Sequence, residues 1–226
     1  NLVVRESAYT AGQLPKFEED VYWVQDDLCL IPTAETVLTN IYRNEVLDER
    51  ELPKKFFAYT PCYRREAGSY RANEKGLIRM HQFNKVEMFQ YTTKEGADEA
   101  FEELVKKAEQ LVDGLGIHYR VVKLAAGDCS AGMARTYDIE VYIPSIDKYY
   151  EVSSVSNARD YQARRGNMRY KRSDGKLEYL NTLNGSGLAT SRLMVALVET
   201  YQNKDGSITI PEILRPFMGN IDKISK

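Results

Sequence analysis

The strongest hydrophobic pattern in the chain lies between Phe56 and Tyr91, where two runs of apolar and aromatic residues flank a polar loop from Ala67 to Gly76. This pattern predicts two antiparallel strands joined by a long hairpin loop. Alternate residues of a strand point to the same face of its sheet. In the second strand, one face would carry five polar or aromatic side chains, namely Arg79, His81, Phe83, Lys85 and Glu87.

A cation, an aromatic ring and a carboxylate recur on this face at four-residue steps, so each lies about 13 Å from the next. Arg64 and Glu66, at the end of the first strand, also share a face. Two interpretations are open. The face is either the solvated side of a sheet, or a composed site with a phosphate-binding cation, a stacking ring and a carboxylate that accepts an ammonium group.

Helical periodicity is clearest in Ala97–Val112, where apolar residues follow i, i+3, i+4 spacing and Gly114 is placed to end the helix. A second helix is predicted for Ala34–Leu47, with Thr33 as its N-cap. On this interpretation Thr33 and Glu35 simply cap the helix and complement its dipole. A role in chemistry is the alternative.

The C-terminal third of the chain contains a predicted strand at Leu177–Leu183 and a turn at Asn184–Gly187, where the sequence is NGSG. A helix is predicted from Leu188 to about Tyr201. Arg192 lies near the N-terminal end of this helix, where the helix dipole and free N–H groups already favour an anion.

Shorter patterns complete the set of elements. A hairpin is predicted at Val21–Leu30. Three further strands are predicted at Gly116–Leu124, Thr136–Ile143 and Tyr149–Val155, and the loop Ala125–Ala134 separates the first of these strands from the second. Hairpins dominate, so the sequence predicts an α+β fold with an antiparallel sheet flanked by helices. No GxGxxG or GxxxxGK[ST] motif occurs, which argues against a Rossmann or P-loop nucleotide site. Residues 1–226 are expected to form a single domain.

Composition narrows the function classes only slightly. The chain has 226 residues and a formal net charge of −2, which argues against broad electrostatic capture of nucleic acid or anionic membrane. Cys29, Cys62 and Cys129 are too few and too widely spaced for a disulfide framework or a CxxC zinc site. We therefore expect a reducing, cytoplasmic compartment. No apolar run or leader predicts a membrane span or a signal peptide. The start at Asn1 suggests a fragment of a longer protein.

The motifs of two regions resemble the class II aminoacyl-tRNA synthetases. Tyr63–Glu66, followed after a loop by Arg79–Phe83, matches the second signature motif of that class, and Gly185–Ala189 with Arg192 is similar to the third. More narrowly, the chain resembles the seryl-tRNA synthetase family. Eight stretches in the same order carry this resemblance: Gly12–Asp20, Leu30–Glu35, Gly76–Glu87, Thr136–Pro144, Glu151–Asn157, Tyr161–Arg165, Leu183–Ala189 and Asp205–Gly219.

The resemblance implies an ATP site. Arg64 would hold the α-phosphate and Glu66 would bind the adenine amino group, while Phe83 would stack on the adenine ring. Arg79 would contact phosphate, and Arg192 would hold the far phosphates. Four consecutive residues would add to the site, Glu151, Val152, Ser153 and Ser154, of which Glu151 and Ser154 would hold Mg²⁺. Arg64 and Arg192 are the expected catalytic residues.

The resemblance also implies a site for L-serine. Its expected residues are Thr33, Ala34, Glu35, Arg64, Glu87, Asn184 and Ser186. Glu87 would accept the serine ammonium group, and Glu35 or Ser186 would read the side-chain hydroxyl. The implied reaction forms seryl-adenylate from serine and ATP and passes serine to tRNA(Ser). In the full-length protein, tRNA binding and homodimerisation are expected.

The chemistry of activation agrees with these residue types. Serine carboxylate attacks the α-phosphorus of ATP, and because both reactants are anionic, the site needs cations and a metal rather than a side-chain nucleophile. Arginine presents a planar fork suited to phosphate. Magnesium prefers one or two carboxylates with phosphate oxygens and water, which Glu151 fits. In a regular strand Ser153 shares the face of Glu151, so a metal role for Ser154 requires a β-bulge or a bridging water.

The chain departs from the family at its N-terminal side. The pair of long helices that grips tRNA and the first signature motif are not found, and Thr10–Gly12 and Val155 differ from the usual residues. Two alternatives therefore stay open. One is an enzyme without the tRNA-binding arm that activates an amino acid for a carrier protein. The other is a non-catalytic paralogue that is kept for binding or structure.

Overall fold

The structure is a computed structural model that describes residues 1–67, 74 and 76–225. Most of the polar loop predicted from Ala67 to Gly76 lies outside the described residues. The strands are β1 (Leu2–Val4), β2 (Leu28–Leu30), β3 (Val46–Asp48), β4 (Lys54–Tyr63), β5 (Gln82–Thr92), β6 (Tyr119–Lys123), β7 (Arg135–Ile143), β8 (Lys148–Arg159), β9 (Arg169–Lys171), β10 (Leu177–Tyr179), β11 (Asn181–Ala189), β12 (Ile208–Thr209) and β13 (Lys223–Ile224). The helices are α1 (Arg5–Thr10), α2 (Glu35–Leu38), α3 (Ala97–Asp113), α4 (Tyr161–Arg165) and α5 (Thr190–Tyr201).

Six strands form one antiparallel sheet in the order β4-β5-β11-β8-β7-β6. Smaller sheets pair β1 with β2, β10 with β9 and β3, and β12 with β13. The predicted α+β class with an antiparallel sheet and flanking helices is confirmed. The predicted hairpin is also confirmed, because β4 and β5 pair in continuous register from Lys54 opposite Tyr91 to Tyr63 opposite Gln82.

One face of the sheet is covered by α3 and α5. The apolar stripe of α3 packs on β8 and β11, with Phe101, Leu104 and Ala108 almost fully buried. Leu193 and Ala196 of α5 join the same core. The predicted helix Ala97–Val112 and its stop at Gly114 are therefore confirmed. None of the helices in the described ranges has the length and apolar character that crossing a bilayer requires.

A second core lies on the other side of the sheet, where Phe89 and Tyr91 of β5 are fully buried. Side chains alternate along β5, so the same face carries Glu87, Lys85 and Phe83 toward the start of the strand. The predicted shared face is thus confirmed for these three. It is wrong for Arg79 and His81, which precede the first residue of β5.

The first strand ends earlier than the pattern suggested. β4 stops at Tyr63, so Arg64 and Glu66 are loop residues rather than neighbours on a strand face. Glu66 has a left-handed backbone with φ 52°. This turn directs the chain out of the sheet and ends the alternation on which the prediction relied.

The predicted helix Ala34–Leu47 is wrong beyond its first turn. Only Glu35–Leu38 is α-helical, and Asn44 adopts a left-handed φ of 64°. The apolar spacing misled because Val37 and Ile41 do not form a buried stripe: they are 42% and 39% exposed. The end of the segment instead forms β3, which pairs in parallel with β9.

The predicted NGSG turn is also wrong, because Asn184–Gly187 lies inside β11. Neither glycine of the motif has a left-handed φ. A Cβ on Gly185 would lie 3.2 Å from Val155 Cγ2 and 3.3 Å from Leu104 Cγ. Glycine is present here because α3 and the neighbouring strand approach the backbone closely, not because the chain turns.

Candidate active site

A cavity of about 510 Å³ lies beside β5, β8, β11 and the first turn of α5. Most of the residues predicted from the sequence line it, namely Thr33, Glu35, Arg64, Glu66, Arg79, Phe83, Glu151, Ser154, Asn184, Ser186 and Arg192. The fold therefore brings the two motif regions and the segment Thr33–Glu35 around one cavity. The composed-site interpretation of the β5 face is favoured over a solvated sheet face.

One end of the cavity rests on a buried ionic group. Glu87 is fully buried, with Lys85 Nζ 2.5 Å from its Oε2 and Asn184 Nδ2 donating to its Oε1 at 3.1 Å. Lys85 Nζ also donates to Thr33 Oγ1 at 2.8 Å. Lys85, rather than Glu87, lines the cavity. Its ammonium group holds Glu87 from the cavity side.

Thr33 links this ionic group to the start of α2. Its hydroxyl accepts a hydrogen bond from the backbone N–H of Glu35, the first residue of α2, at 3.3 Å. The same oxygen accepts from Lys85 Nζ. The N-cap of α2 is Ala34 rather than the predicted Thr33, so Thr33 joins the start of the helix to Lys85, and its role in ligand binding stays a prediction.

Glu35 lines the same end of the cavity and is itself only 5% exposed. Burial raises the pKa of its carboxyl to about 7, and the charge of Glu87 adds to the rise. Lys85, a hydrogen bond from Gln162 and the charge of Arg64 act in the opposite direction. Burial thus favours the protonated form of this carboxyl relative to an exposed one.

Another part of the cavity lining consists of arginines, carboxylates and an aromatic ring. The Arg64 guanidinium carbon lies 5.1 Å from the centroid of the Phe83 ring. Arg79 is paired with Glu66 and with Glu74, the latter at 3.3 Å. The left-handed turn at Glu66 brings its carboxylate to Arg79. The groups predicted to bind phosphate and adenine therefore meet in one region.

A β-bulge in β8 determines the orientation of Glu151 and Ser154, the two predicted Mg²⁺ ligands. Ile139 pairs with Ser153 and Glu140 pairs with Glu151, so Val152 is an extra residue between two registers. The bulge reverses the alternation of side chains, and Glu151 and Ser154 both line the cavity. The bulge required for the predicted Ser154 role is therefore present.

Arg192 lies in the first turn of α5, near the helix start as predicted, and from there it reaches the Glu151 carboxylate. Its Nη1 lies 3.1 Å from Glu151 Oε2 and also donates to the Glu151 carbonyl at 2.9 Å. Its Nε donates to the Ile78 carbonyl at 3.0 Å. A guanidinium group and a carboxylate are thus fixed side by side at the wall of the cavity.

Four predicted site residues do not line the cavity. Ala34 is fully buried in the second core, and Val152 packs in the first core, because the bulge turns it away. Ser153 is buried and donates its hydroxyl to the Ser186 carbonyl at 2.6 Å. Glu87 lies beneath Lys85. Ala34, Val152 and Ser153 therefore present no side chain to the cavity, and their predicted part in ligand binding stays a prediction.

Sequence reasoning missed several lining residues. Lys85 was recognised on the β5 face but given no role, and its sequence signal is its alternation with Phe83 and Glu87. Two further segments of the chain also line the cavity. They contribute residues 11–13, 17, 20 and 21, and residues 130, 132 and 133. These two segments have no periodicity, so local pattern alone could not find them. Gln162, buried behind Glu35, was also missed.

The sheet and the charged groups around the cavity together define a class of enzyme. An antiparallel sheet carries an arginine at the end of a strand hairpin, a carboxylate on a bulged strand and a second arginine at a helix start, which is the architecture of a class II aminoacyl-tRNA synthetase core. The family model for the tRNA synthetase class II core domain (G, H, P, S and T) matches residues 17–201. The chain belongs to this family.

Relatives narrow the similarity within the family. Over 226 residues the chain is 62% identical to serine–tRNA ligase 2 of Clostridium acetobutylicum, covering 97% of this chain and 53% of that protein. It is 57% identical over 220 residues to serine–tRNA ligase of Fervidobacterium nodosum, covering 97% and 52%. The chain spans about half the length of the curated relatives it matches.

Comparison with solved structures gives the same similarity to seryl-tRNA synthetases. Seryl-tRNA synthetase of Pyrococcus horikoshii complexed with ATP superposes with a TM-score of 0.94 at 42% identity, covering 99% of this chain and 50% of that one. Cytoplasmic serine–tRNA ligase of Naegleria fowleri in complex with AMP gives 0.92 at 34% identity, covering 99% and 53%. The predicted resemblance to the seryl-tRNA synthetases is confirmed.

The raised pKa of Glu35 predicts a pH-dependent cost to folding. The folded carboxyl, with its pKa of about 7, holds its proton more tightly than the unfolded one, whose pKa is about 4.3. Stability therefore falls as pH rises between these values and is constant above them. Glu35→Gln should remove this loss of up to about 4 kcal/mol.

Urea unfolding at pH 5 and pH 8 measures the effect. Relative to the wild type, Glu35→Gln should gain stability at pH 8 compared with pH 5. Glu99→Gln, on the exposed side of α3, is the control and should show no such change between the two pH values. A difference between Glu35→Gln and the wild type that is equal at both pH values would contradict the assignment.

Proposed function

We propose that this chain is the catalytic part of a seryl-tRNA synthetase, which activates L-serine with ATP and transfers serine to tRNA(Ser). The observation that carries the proposal is that one cavity is lined both by arginines with Glu151 and by Glu35 with Lys85, which holds the buried Glu87. These two sets of groups are complementary to a polyphosphate and to a zwitterionic amino acid. The similarity to serine–tRNA ligases supports serine as the amino acid.

At the nucleotide end, the roles follow from charge and shape. ATP would place its adenine against Phe83 and its α-phosphate at Arg64, which lies beside that ring. Arg192 would hold the far phosphates. When ATP binds, phosphate oxygens would replace the carboxylate partners of Arg79 and Arg192. Because those carboxylates already hold the two guanidinium groups at the cavity, the groups are in place when charge develops at phosphorus.

At the amino-acid end, two carboxylates divide the polar groups of serine. Glu87 would accept the ammonium group, which requires Lys85 Nζ to move off Glu87 Oε2. Glu35 already lines the cavity and would accept the side-chain hydroxyl. Alanine lacks that hydroxyl and would leave a buried acceptor unpaired, which favours serine by up to about 10⁴.

The reaction then needs positioning and charge stabilisation. An oxygen of the serine carboxylate attacks the α-phosphorus, a new P–O bond forms, and the bond to the β-phosphate oxygen breaks with release of pyrophosphate. Arg64 would stabilise the charge on the α-phosphate and Arg192 the leaving pyrophosphate. In the second step a ribose hydroxyl of tRNA attacks the serine carbonyl carbon and AMP leaves.

Magnesium fits the oxygen donors of the β8 bulge. Glu151 and Ser154 present a carboxylate and a hydroxyl to the cavity, and Ser154 Oγ donates to Asp138 Oδ1 at 2.6 Å. The described residues contain no cluster of three His, Cys, Asp or Glu side chains. Mg²⁺ does not need one, because phosphate oxygens and water complete its coordination. The ion would neutralise phosphate charge.

The proposal extends to the whole protein. We propose that residues 1–226 act as one catalytic unit, that tRNA(Ser) binding and homodimerisation belong to the full-length protein, and that it acts in the cytoplasm. The three free cysteines, of which Cys29 and Cys62 are buried, are compatible with a reducing compartment.

The metal assignment predicts a selective change in magnesium dependence. Glu151→Gln should raise the Mg²⁺ concentration needed for half-maximal ATP–pyrophosphate exchange by about tenfold, because a charged ligand is lost. Glu140→Gln is the matched control, since Glu140 lies opposite Glu151 in the β7–β8 ladder but is paired with Arg120. Equal magnesium dependence in the two variants would refute the assignment.

The function itself is tested by ATP–pyrophosphate exchange with serine, alanine and threonine in parallel. We expect exchange with serine alone. Arg64→Ala and Glu87→Ala should each reduce it by about a hundredfold or more, because each removes a buried or reacting charge. Arg50→Ala, whose side chain is 88% exposed, should leave it unchanged. Failure of Arg64→Ala or Glu87→Ala to lower exchange would oppose the proposal, as would ATP binding without exchange.

A further inference from the structure

Gln162 is the second residue of α4 and is 1% exposed, directly behind the amino-acid end of the cavity. Its carboxamide makes three hydrogen bonds. Nε2 donates to Glu35 Oε1 at 2.7 Å and to the Ala11 carbonyl at 3.0 Å, and Oε1 accepts from Thr182 Oγ1 at 2.6 Å. One side chain thus joins the residue that follows α1 to α2, α4 and β11 at the back of Glu35.

The partners of this amide fix its orientation. The Ala11 carbonyl can only accept a hydrogen bond, and so can an ionised Glu35. Both N–H bonds of Gln162 must therefore point toward them. Reversal of the amide would place its oxygen against two acceptors in a buried site, at the cost of two hydrogen bonds. The amide cannot turn while Glu35 is charged.

The charge of Glu35 depends on what faces it. From β5 come Glu87, which disfavours the carboxylate, and Lys85, which favours it. From the end of β4 comes Arg64, which favours it more weakly. Gln162 adds a neutral donor in direct contact from α4. This hydrogen bond from Gln162 favours the charged form of Glu35 and occupies its Oε1. The other carboxylate oxygen of Glu35 can therefore accept a hydrogen bond from a ligand hydroxyl in the cavity.

We propose that Gln162 is a positioning residue that determines amino-acid specificity through Glu35, by holding its carboxylate in the orientation and charge state that accept the hydroxyl of serine. The proposal rests on the function proposed above. It assigns the discrimination of serine from alanine to a residue that does not line the cavity. Loss of the Gln162 donors should weaken serine selectively, because alanine makes no use of the Glu35 acceptor.

Two substitutions at this position should shift the pH dependence in opposite directions. Gln162→Met keeps the side-chain length but removes both donors, so Glu35 ionises at higher pH. Gln162→Glu places a second carboxyl against Glu35, and the pair functions only while it shares a proton. Exchange with serine should therefore recover with rising pH in Gln162→Met and decline with rising pH in Gln162→Glu.

Thr182→Val is the structural control. It removes the hydroxyl that anchors Gln162 Oε1 in the same buried network but leaves the donors to Glu35 in place. A purely structural role for Gln162 predicts similar behaviour in Gln162→Met and Thr182→Val. Positioning through Glu35 predicts a change in Gln162→Met only.

The experiment is ATP–pyrophosphate exchange with serine and with alanine from about pH 6 to pH 8.5. For Gln162→Met near pH 7 we expect the KM for serine to rise about tenfold with kcat within about twofold, which corresponds to loss of a hydrogen bond to a charged group. The ratio of serine to alanine kcat/KM should fall by about the same factor, and its pH profile should move up by about one unit. Thr182→Val should follow the wild type.

Each other outcome overturns the proposal. If Gln162→Met and Thr182→Val lose activity equally, or if the pH profiles of both Gln162 variants move in the same direction, Gln162 does not act through the charge of Glu35. In both cases wild-type exchange with serine leaves the proposed function intact. Absence of serine-dependent exchange in the wild type would instead remove the proposed function and this proposal together.

Discussion

The rest of the site depends on a buried set of charges at the start of β5 and α2. Glu35 and Glu87 are 5% and 0% exposed, and the cation held against them is Lys85. Two buried carboxylates share one buried ammonium group, while the charge of Arg64 acts on Glu35 more weakly, and such burial of charge is costly in a low-dielectric interior. Burial and the charge of Glu87 accordingly raise the pKa of Glu35. An amino acid brings an ammonium group, which adds a positive charge beside these carboxylates.

The same constraint explains why the supporting structure is built from hydrogen bonds rather than further charges. Thr33 accepts from the N–H of Glu35 at the start of α2 and from Lys85, while Asn184 holds Glu87 from β11. Gln162 holds Glu35 from α4. Each of these groups is neutral, so each fixes its charged partner without changing the net charge. At the other end, the β8 bulge supplies a carboxylate and a hydroxyl where phosphates and a metal ion would lie.

Much of this arrangement follows from periodicity. The β4–β5 hairpin and α3 were predictable because their apolar positions repeat with the period of a strand and of a helix. The alternation of Phe83, Lys85 and Glu87 also placed three site residues on one face. The site residues in loops were not predictable in this way. Arg64 and Glu66 follow the end of β4, and only their resemblance to a known motif assigned them.

The errors have physical causes. Gly185 resembled a turn residue, but its small size is needed where α3 packs against β11. The prediction of a long helix after Thr33 was wrong because Val37 and Ile41 have helical spacing although both are exposed. The bulge at Val152 breaks the rule that alternate residues share a face, so strict alternation would have chosen Ser153 over Ser154. Gln162 carries no local signal, since its partners Ala11, Glu35 and Thr182 are far from it in sequence.

The central claim is that one cavity binds the nucleotide and serine together. Titration calorimetry with a stable sulfamoyl analogue of seryl-adenylate tests it most directly, because that molecule spans both ends at once. We expect one molecule to bind per chain, in competition with ATP, and about a hundredfold or more tighter than the alanyl analogue. Equal binding of the two analogues, or binding that ATP does not displace, would contradict the account.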